Sequence, residues 1–320
     1  MGIKGLNQYF KKHASPKSIH TIDFHYLERK TVVVDISIYL YKFLENGKLL
    51  ENMYEFITRF LQYKINPIFI FDGKPPESKI KVLNARQNKR QTACNKYYDM
   101  KEQYETNHCH DEKEKNDIYK KMSIYKKRSI RVSNKNIDRV KSMMTAMCVE
   151  FYEAPNEADG LCAEYVKSGK AWACISDDMD LFVFDCTRVI REWDIRRKQA
   201  IIYHFEKLKQ DIGIRQTCDI KHIFPLAGND YCSISIPIES VMKWYKMYIN
   251  IMDKPITIYF LDWLTQEGYI SQTQYNNMIE YTESFNVNET IEETIFQHRK
   301  KINYDTLCSL LVPYGFIFIA

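Results

Sequence analysis

The sequence predicts an α/β fold: a mostly parallel central sheet flanked by helices, carrying a basic helical arch and followed by a helical C-terminal region. Three observations predict it. Apolar runs of strand length recur at Thr31–Asp35, Pro67–Asp72 and Ala171–Ile175, separated by stretches with helical spacing. Each run ends in acid: Asp35, then Asp72, then Asp177, Asp178 and Asp180 within four positions. A long stretch around residues 78–132 is highly charged and holds neither Gly nor Pro between 78 and 131, which suits helices projecting from the sheet.

The bulk properties set the frame. With 320 residues and 45% hydrophobic content, the chain can bury a sizeable core as one large domain or two linked ones. The expected division is 1–235 for the sheet-bearing region, arch included, and 236–320 for the helical remainder. No apolar run approaches the roughly 20 residues that a membrane span needs. Met1-Gly-Ile-Lys-Gly-Leu6 lacks the pattern of a secretion signal, and Leu6 replaces the Ser or Thr that myristoylation of Gly2 would favour. Nine scattered cysteines with no Cys-x-x-Cys pair suit reduced thiols, so an intracellular protein of nucleus or cytoplasm is expected. From Lys79 to Arg131 there are 15 Lys and Arg against 7 Asp and Glu, a surplus of eight in a chain of net charge +5, so the remainder is net acidic. A basic segment beside an acidic site fits a polyanion held by one part and cut by another.

Residues 1–30 are polar apart from an amphipathic stretch near Leu6–Phe10. After the first strand, Ser37–Glu45 reads as a helix with Tyr39 and Tyr41, and Met53–Tyr63 as a second with Phe56, Phe60 and Tyr63 on its core face. Tyr41, about two turns beyond Asp35, either packs in the core or looks into a site. The second strand ends at Asp72-Gly-Lys-Pro-Pro76. In the basic segment, tyrosines at 97, 98, 104, 119 and 125 alternate with Lys and Arg, which fits either a solvated helical excursion or an arch that grips phosphates and stacks on bases. Cys94, His108, Cys109 and His110 lie within it, but adjacent ligands strain tetrahedral zinc geometry.

Asn134–Met147 predicts an amphipathic helix and Val149–Tyr152 a short strand. Ala154–Gly160 opens the next helix, with Asn156 the expected N-cap and Asp159 three residues on. Glu157 and Asp159 are then explained either as first-turn acids facing the helix dipole or as ligands reaching one point from the entry turn. After the third apolar run, Phe182–Phe184, Val189–Trp193 and Ala200–Tyr203 read as strands, the last two as a hairpin at the sheet edge. Asp230 follows Gly228-Asn229, ordinarily turn chemistry. From 236 onward the pattern is helical and aromatic.

Strand-end acids gathered at one sheet edge are an expensive arrangement. Like charges resist ionising together unless a cation sits among them, and α/β sheets collect their sites outside the carboxyl ends of the strands. A metal-binding carboxylate cluster is the expectation.

Six stretches then resemble, in order, the flap endonucleases of the 5′ nuclease (XPG/Rad2-like) superfamily. They are Met1–Leu6; Val34-Asp-Ile-Ser37 with Tyr41; Ile68-Phe-Ile-Phe-Asp-Gly-Lys-Pro-Pro76; Glu153-Ala-Pro-Asn-Glu-Ala-Asp159; Ser176-Asp-Asp-Met-Asp180; and Leu226-Ala-Gly-Asn-Asp-Tyr231. The resemblance covers roughly residues 1–232 and implies a PIN-like 5′ nuclease fold. It implies seven carboxylates for two divalent ions, normally Mg²⁺ with Mn²⁺ able to substitute. Asp72, Glu157 and Asp159 would lie nearer one ion and Asp178, Asp180 and Asp230 nearer the other, with Asp35 acting through water; Asp177 is not part of the set. It also implies a catalytic basic pair, Lys79 and Arg86, and DNA contacts at Gly2, Tyr41, Lys127, Arg128 and Arg131. The implied activity is 5′ flap endonuclease and 5′→3′ exonuclease hydrolysis of flapped or branched DNA in replication, repair or recombination, by a monomer. A Holliday-junction or other branched-DNA nuclease and a non-catalytic DNA-binding scaffold are the alternatives.

Two departures from that family stand out. Asp159 occupies a position where eukaryotic relatives usually carry Glu. The family's Gly-x-Gly hairpin, which approaches duplex phosphates and helps hold K⁺, is here Ser233-Ile-Ser-Ile-Pro-Ile238 without glycine. No Gln-x-x-aliphatic-x-x-aromatic-aromatic motif supports sliding-clamp binding.

Overall fold

The computed structural model describes residues 2–75, 79–106, 112–228, 234–251, 258–283 and 301–318. The chain divides into two compact units, the first of residues 1–36, 56–75 and 149–298 and the second of 37–55, 76–148 and 299–320. Among the described residues the strands are β1 (Ile19–Asp23), β2 (Thr31–Asp35), β3 (Asn66–Phe71), β4 (Glu150–Glu153), β5 (Ala173–Ile175), β6 (Arg188–Asp194) and β7 (Gln199–His204). The helices are α1 (Leu6–His13), α2 (Ser37–Glu45), α3 (Leu49–Gln62), α4 (Ile80–Thr106), α5 (Glu112–Arg128), α6 (Asn134–Ala146), α7 (Ala158–Lys167), α8 (Phe205–Ile212), α9 (Ile220–Leu226), α10 (Ile238–Ile251), α11 (Phe260–Gln266), α12 (Gln272–Glu283) and α13 (Tyr304–Leu311).

All the strands belong to the first unit and form one sheet in the order β1-β7-β6-β5-β2-β3-β4. Every pairing from β6 through to β4 is parallel, and β7 and β1 add antiparallel at one edge. The chain leaves β2 through β3 to β4, then returns to β5 on the other side of β2. This reversal places a crevice at the carboxyl ends of β2 and β5.

The central strands β2, β3 and β5 are mainly apolar because both faces of the sheet are covered there. On one face Val33, Ile68, Ile70, Cys174 and Val189 pack in a core shared with Phe10 of α1, Leu161 of α7 and Phe205 and Leu208 of α8. Phe182 crosses this layer edge-on to Phe10 and Phe205, at 5.1 and 5.0 Å. On the other face Phe69 meets Phe56 and Phe60 of α3, and Trp193 stacks between Phe24 and Phe60 at 3.9 and 4.8 Å. Beyond the sheet, Tyr245 of α10 donates its hydroxyl to Asp219 (2.9 Å) and accepts the amide of Arg215 (3.3 Å), fixing the entry to α9.

The second unit holds α2, the first turns of α3, and α4, α5, α6 and α13. The basic segment is helical as expected, as α4 of 27 residues and α5 of 17. Lys96 of α4 sits over the Tyr125 ring of α5 at 5.6 Å. Residues 301–318 lie along α6: Asn303 donates its amide to Ala146 O (2.8 Å), and Arg139 covers the ring of Tyr314 at 5.7 Å. His108, Cys109 and His110 fall outside the described residues.

The structure corrects four local expectations. Phe182–Phe184 is not a strand. Residues Asp180–Phe182 form a 3-10 turn, because the Asp180 carbonyl accepts the amides of Val183 (2.8 Å) and Phe184 (3.3 Å), so the chain bends back at once. In the third apolar run the strand itself is only Ala173–Ile175, with the Trp172 amide bonded to Thr31 O (2.7 Å) just before it. The β6–β7 hairpin is not the sheet edge, since β1 pairs outside it; His20 and Thr21 gave that strand too little apolar signal. The N-cap of α7 is Glu157 rather than Asn156.

His222 of α9 gives this fold an acid sensitivity. Burial pulls its pKa from 6.5 to about 4, and Lys221 adds to the shift. A depressed folded pKa contributes stability that is intact above the unfolded value near 6.5 and is lost as pH falls toward 4. Replacing His222 by Gln is expected to remove on the order of 2 kcal/mol of that pH-dependent loss. Urea unfolding of both proteins at pH 7 and pH 4.5 measures it.

Candidate active site

The crevice at the carboxyl ends of β2, β3 and β5 collects the acids that end those strands. Carboxylate oxygens of Asp159, Asp178 and Asp180 all lie within 4.8 Å of one another. Asp35 and Asp72 are near enough that their charges act on Asp159, along with those of Asp178 and Asp180. Burial is the largest influence on Asp159. Together these raise its pKa well above the ordinary carboxyl value. Its Oδ1 is buried and accepts no hydrogen bond.

Local structure fixes each side chain. Asp35, at the end of β2, is 4% exposed and accepts the Ser176 hydroxyl at 2.8 Å. The same hydroxyl accepts the amide of Asp178 (3.1 Å), and Asp178 Oδ1 accepts the amide of Asp180 (3.2 Å). Asp72 Oδ1 accepts the amide of Ala158 at 2.9 Å, so a carboxylate from the end of β3 caps α7. That bond takes the role expected of Asn156 and sets negative charge at a helix N-terminus, where it is favourable. The neighbouring Gly73 cannot carry a side chain, because a Cβ there would lie 1.8 Å from Ala154 O.

The N-terminal segment closes over the acids. Gly2 has φ +81°, and a Cβ on it would stand 2.4 Å from Asp178 Oδ1 and 2.7 Å from Asp180 Oδ1. Lys4 donates its amide to Gly228 O (3.2 Å) and its ammonium to Ser235 (3.2 Å), which ties this segment to the α9–α10 connection.

Of the expected site residues, Asp159, Asp178 and Asp180 are brought together, with Asp35, Asp72 and Gly2 beside them. Glu157 stands at the N-cap of α7. Asp230 lies outside the described residues. Asp177 Oδ1 accepts the amide of Glu192 at 2.8 Å. Tyr41, Lys79, Arg86, Lys127, Arg128 and Arg131 belong to the second unit. There the Arg90 guanidinium covers the Tyr41 ring at 5.1 Å and Lys127 pairs with Glu45 at 3.0 Å. Lys79 is 8% exposed and precedes α4 rather than lying within it, whereas Arg128 and Arg131 are exposed. Sequence reasoning quoted Ser176 at the head of the Ser176–Asp180 stretch without giving it a role, and it missed Arg191, which carries no acidic or motif signal.

An all-oxygen set of hard donors with a buried, partnerless carboxylate oxygen suits a divalent cation of the Mg²⁺ or Mn²⁺ kind.

Residues 1–93 match the XPG N-terminal domain and residues 148–230 the XPG I-region. Flap endonuclease 1 of Micromonas commoda is 31% identical over 274 residues, covering 78% of this chain and 67% of that one. The chain belongs to the XPG/Rad2-like flap endonuclease family. Flap endonuclease 1 of Glycine max is 32% identical over 250 residues, 72% of this chain, and the match spans 62% of that relative's length. Among solved structures of this fold, the catalytic core of Rad2 in complex with DNA substrate superposes with TM-score 0.65 at 19% identity, covering 98% of this chain and 95% of that one. Human GEN1 in complex with Holliday junction DNA gives 0.65 at 14% identity over 98% and 73%. Flap endonuclease-1 from Methanococcus jannaschii gives 0.51 at 19% identity over 85% and 97%.

The crowded charge in this family member makes a test that needs no substrate. A folded pKa raised above the unfolded value contributes stability that is fully present below pH ~4 and is lost as pH rises through the folded pKa. Asp159→Asn is therefore expected to raise the melting temperature of metal-free protein at pH 7 by a few degrees. It should also shrink any further rise that an added divalent cation produces. Differential scanning calorimetry in EDTA and in Mg²⁺ reads both.

Proposed function

We propose that this chain is a divalent-metal-dependent, structure-specific 5′ flap endonuclease with 5′→3′ exonuclease activity. It hydrolyses phosphodiesters of flapped or branched DNA, in replication, repair or recombination, and leaves 5′-phosphates. The observation that carries this reading is the meeting of Asp159, Asp178 and Asp180 at the sheet's carboxyl edge in a chain of the flap endonuclease family. Two Mg²⁺ ions are the cofactors on this reading, and when bound they supply Lewis acidity and a water of lowered pKa.

The chain's own residues divide the remaining work. Asp72, Glu157 and Asp159 hold one ion and Asp178, Asp180 and Asp230 the other, with Asp35 acting through water. Ser176 keeps Asp35 aligned. Lys79 and Arg86 bring positive charge to the phosphate as its charge develops. Gly2, Lys127, Arg128 and Arg131 contact the DNA backbone, and Tyr41 stacks on a base beside the scissile bond. Residues 1–235 form the nuclease region and 236–320 a DNA-binding helical region. The working form is a monomer.

The α9–α10 connection keeps open a second reading, a junction-resolving or otherwise branched-DNA nuclease. Ile236 donates its amide to Leu226 O (2.9 Å) and Ser235 takes the Lys4 ammonium. With no glycine from 233 to 238, this connection offers duplex phosphates a different surface from the family's hairpin.

Initial rates with Mg²⁺ on 5′-flap, nicked, bubble and four-way-junction DNA separate the two. The flap is expected to be cut fastest, with loss of activity in EDTA and a fall of about 10²–10³-fold or more in Asp178→Asn. Fastest cutting of the four-way junction would establish the second reading instead. Tight flap binding without turnover in any divalent metal would mark a scaffold.

Threading of a free 5′ strand through the arch makes a separate prediction. Blocking the flap's 5′ end should slow cleavage by at least about tenfold; an equal rate would exclude threading.

A further inference from the structure

Arg191, on β6, is 7% exposed and lies against the turn that carries two of the acids. One terminal nitrogen donates to Asn7 Oδ1 (2.8 Å) and to Met179 Sδ (2.7 Å), and the other to the Asp177 carbonyl (2.7 Å). Residues 177 and 179 flank Asp178, so the guanidinium grips the backbone on one side of that acid and a side chain on the other. Tyr203 donates its hydroxyl to the same Asn7 oxygen (2.8 Å), and the guanidinium stands 5.5 Å from the Tyr203 ring.

The strand is shaped for this grip. The β6–β7 register shifts between Arg191 and Asp194, and Glu192 takes a positive φ of 53°. This bulge turns the Glu192 amide onto Asp177 Oδ1 (2.8 Å). Two adjacent residues of β6 therefore hold Asp177 by its carbonyl and by its carboxylate.

The charge needs its own account. All three acceptors of Arg191 are neutral: an amide oxygen, a thioether and a carbonyl. Burying a cation against neutral partners is costly unless other charge compensates. The turn it grips is the one that carries Asp178 and Asp180, so the cation is held by the backbone of an acidic segment.

We propose that Arg191 is a positioning residue of the carboxylate site. It fixes the Asp177–Asp180 turn against α1 through Asn7 and holds the acids in place for a divalent ion. This inference rests on the metal-dependent reading above.

The test uses the full chain and two variants, Arg191→Met, which keeps an apolar stem, and Arg191→Lys, which keeps the charge but not the fork. Mn²⁺ binding is measured by calorimetry, amide exchange by mass spectrometry without metal, and kcat and KM on a 5′-flap duplex. Removing an outer partner of a metal site costs about 10–100-fold in affinity or activity, so Arg191→Met should weaken Mn²⁺ binding by about tenfold. Its exchange should speed up at 177–180 and 3–7 but not across β2 and β3. Its kcat should fall with KM for DNA nearly unchanged, and Arg191→Lys should recover part of each loss.

Unchanged Mn²⁺ affinity and kcat in Arg191→Met would overturn the inference while leaving the site intact. Faster exchange throughout the sheet in both variants would overturn it too, by reducing Arg191 to a folding residue. If Arg191→Met does not fold, Arg191→Lys decides by the same readouts. Absence of Mn²⁺ uptake by the unaltered chain would overturn the metal-dependent reading and this inference with it.

Discussion

Mutual repulsion among carboxylates at the open end of a parallel sheet governs the design of this protein. Two unit charges 4 Å apart at a protein surface repel by roughly 4 kcal/mol. The helix N-terminus facing Asp72 returns about 1 kcal/mol, and a hydrogen bond to a charged oxygen about 1.5–3 kcal/mol. Protein groups alone therefore place the acids without neutralising them. Burial first, and these neighbouring charges second, raise the pKa of Asp159; on the proposed reading a divalent cation bound among the acids would offset both.

Holding charges together against their repulsion needs rigid supports from several directions. Asp35 comes from β2, Asp72 from the end of β3, and Asp178 and Asp180 from the turn after β5. Ser176 and the α7 amide at Ala158 tie two of these to the framework. Gly2 shows the tolerance involved: its backbone occupies space that even a methyl group would take from two carboxylates. The slab of Phe24, Trp193 and Phe60 under the sheet supplies stiffness from the other face.

Much of this was legible in the sequence because buried parallel strands are apolar at every position, so an acid at the end of such a run is conspicuous. Asp35, Asp72 and the 177–180 group were visible for that reason. The supports were not. Ser176 and Arg191 act by reaching across the fold, and nothing in their immediate neighbourhood announces a partner fourteen to more than one hundred positions away. The edge strand β1 was hidden by its polar composition. Asn156 was a sound capping residue on local grounds, yet Asp72, remote in sequence, takes the bond to α7. Phe182–Phe184 carries strand-forming residues, but the turn at Asp180 overrides their preference. The basic segment was legible in length and helicity, though not in the pairing of Arg90 with Tyr41.

The long α4–α5 hairpin is assembled differently from the rest. Between Ala93 and Val140 no apolar side chain among the described residues is buried, so this excursion is sustained by its own backbone bonds, the contact between its two helices and solvated charge. Nothing in the hydrophobic core depends on how many turns it has. Evolution could therefore lengthen or shorten it in matched pairs of turns without repacking the sheet, making it a dimension that related enzymes can vary independently of their chemistry.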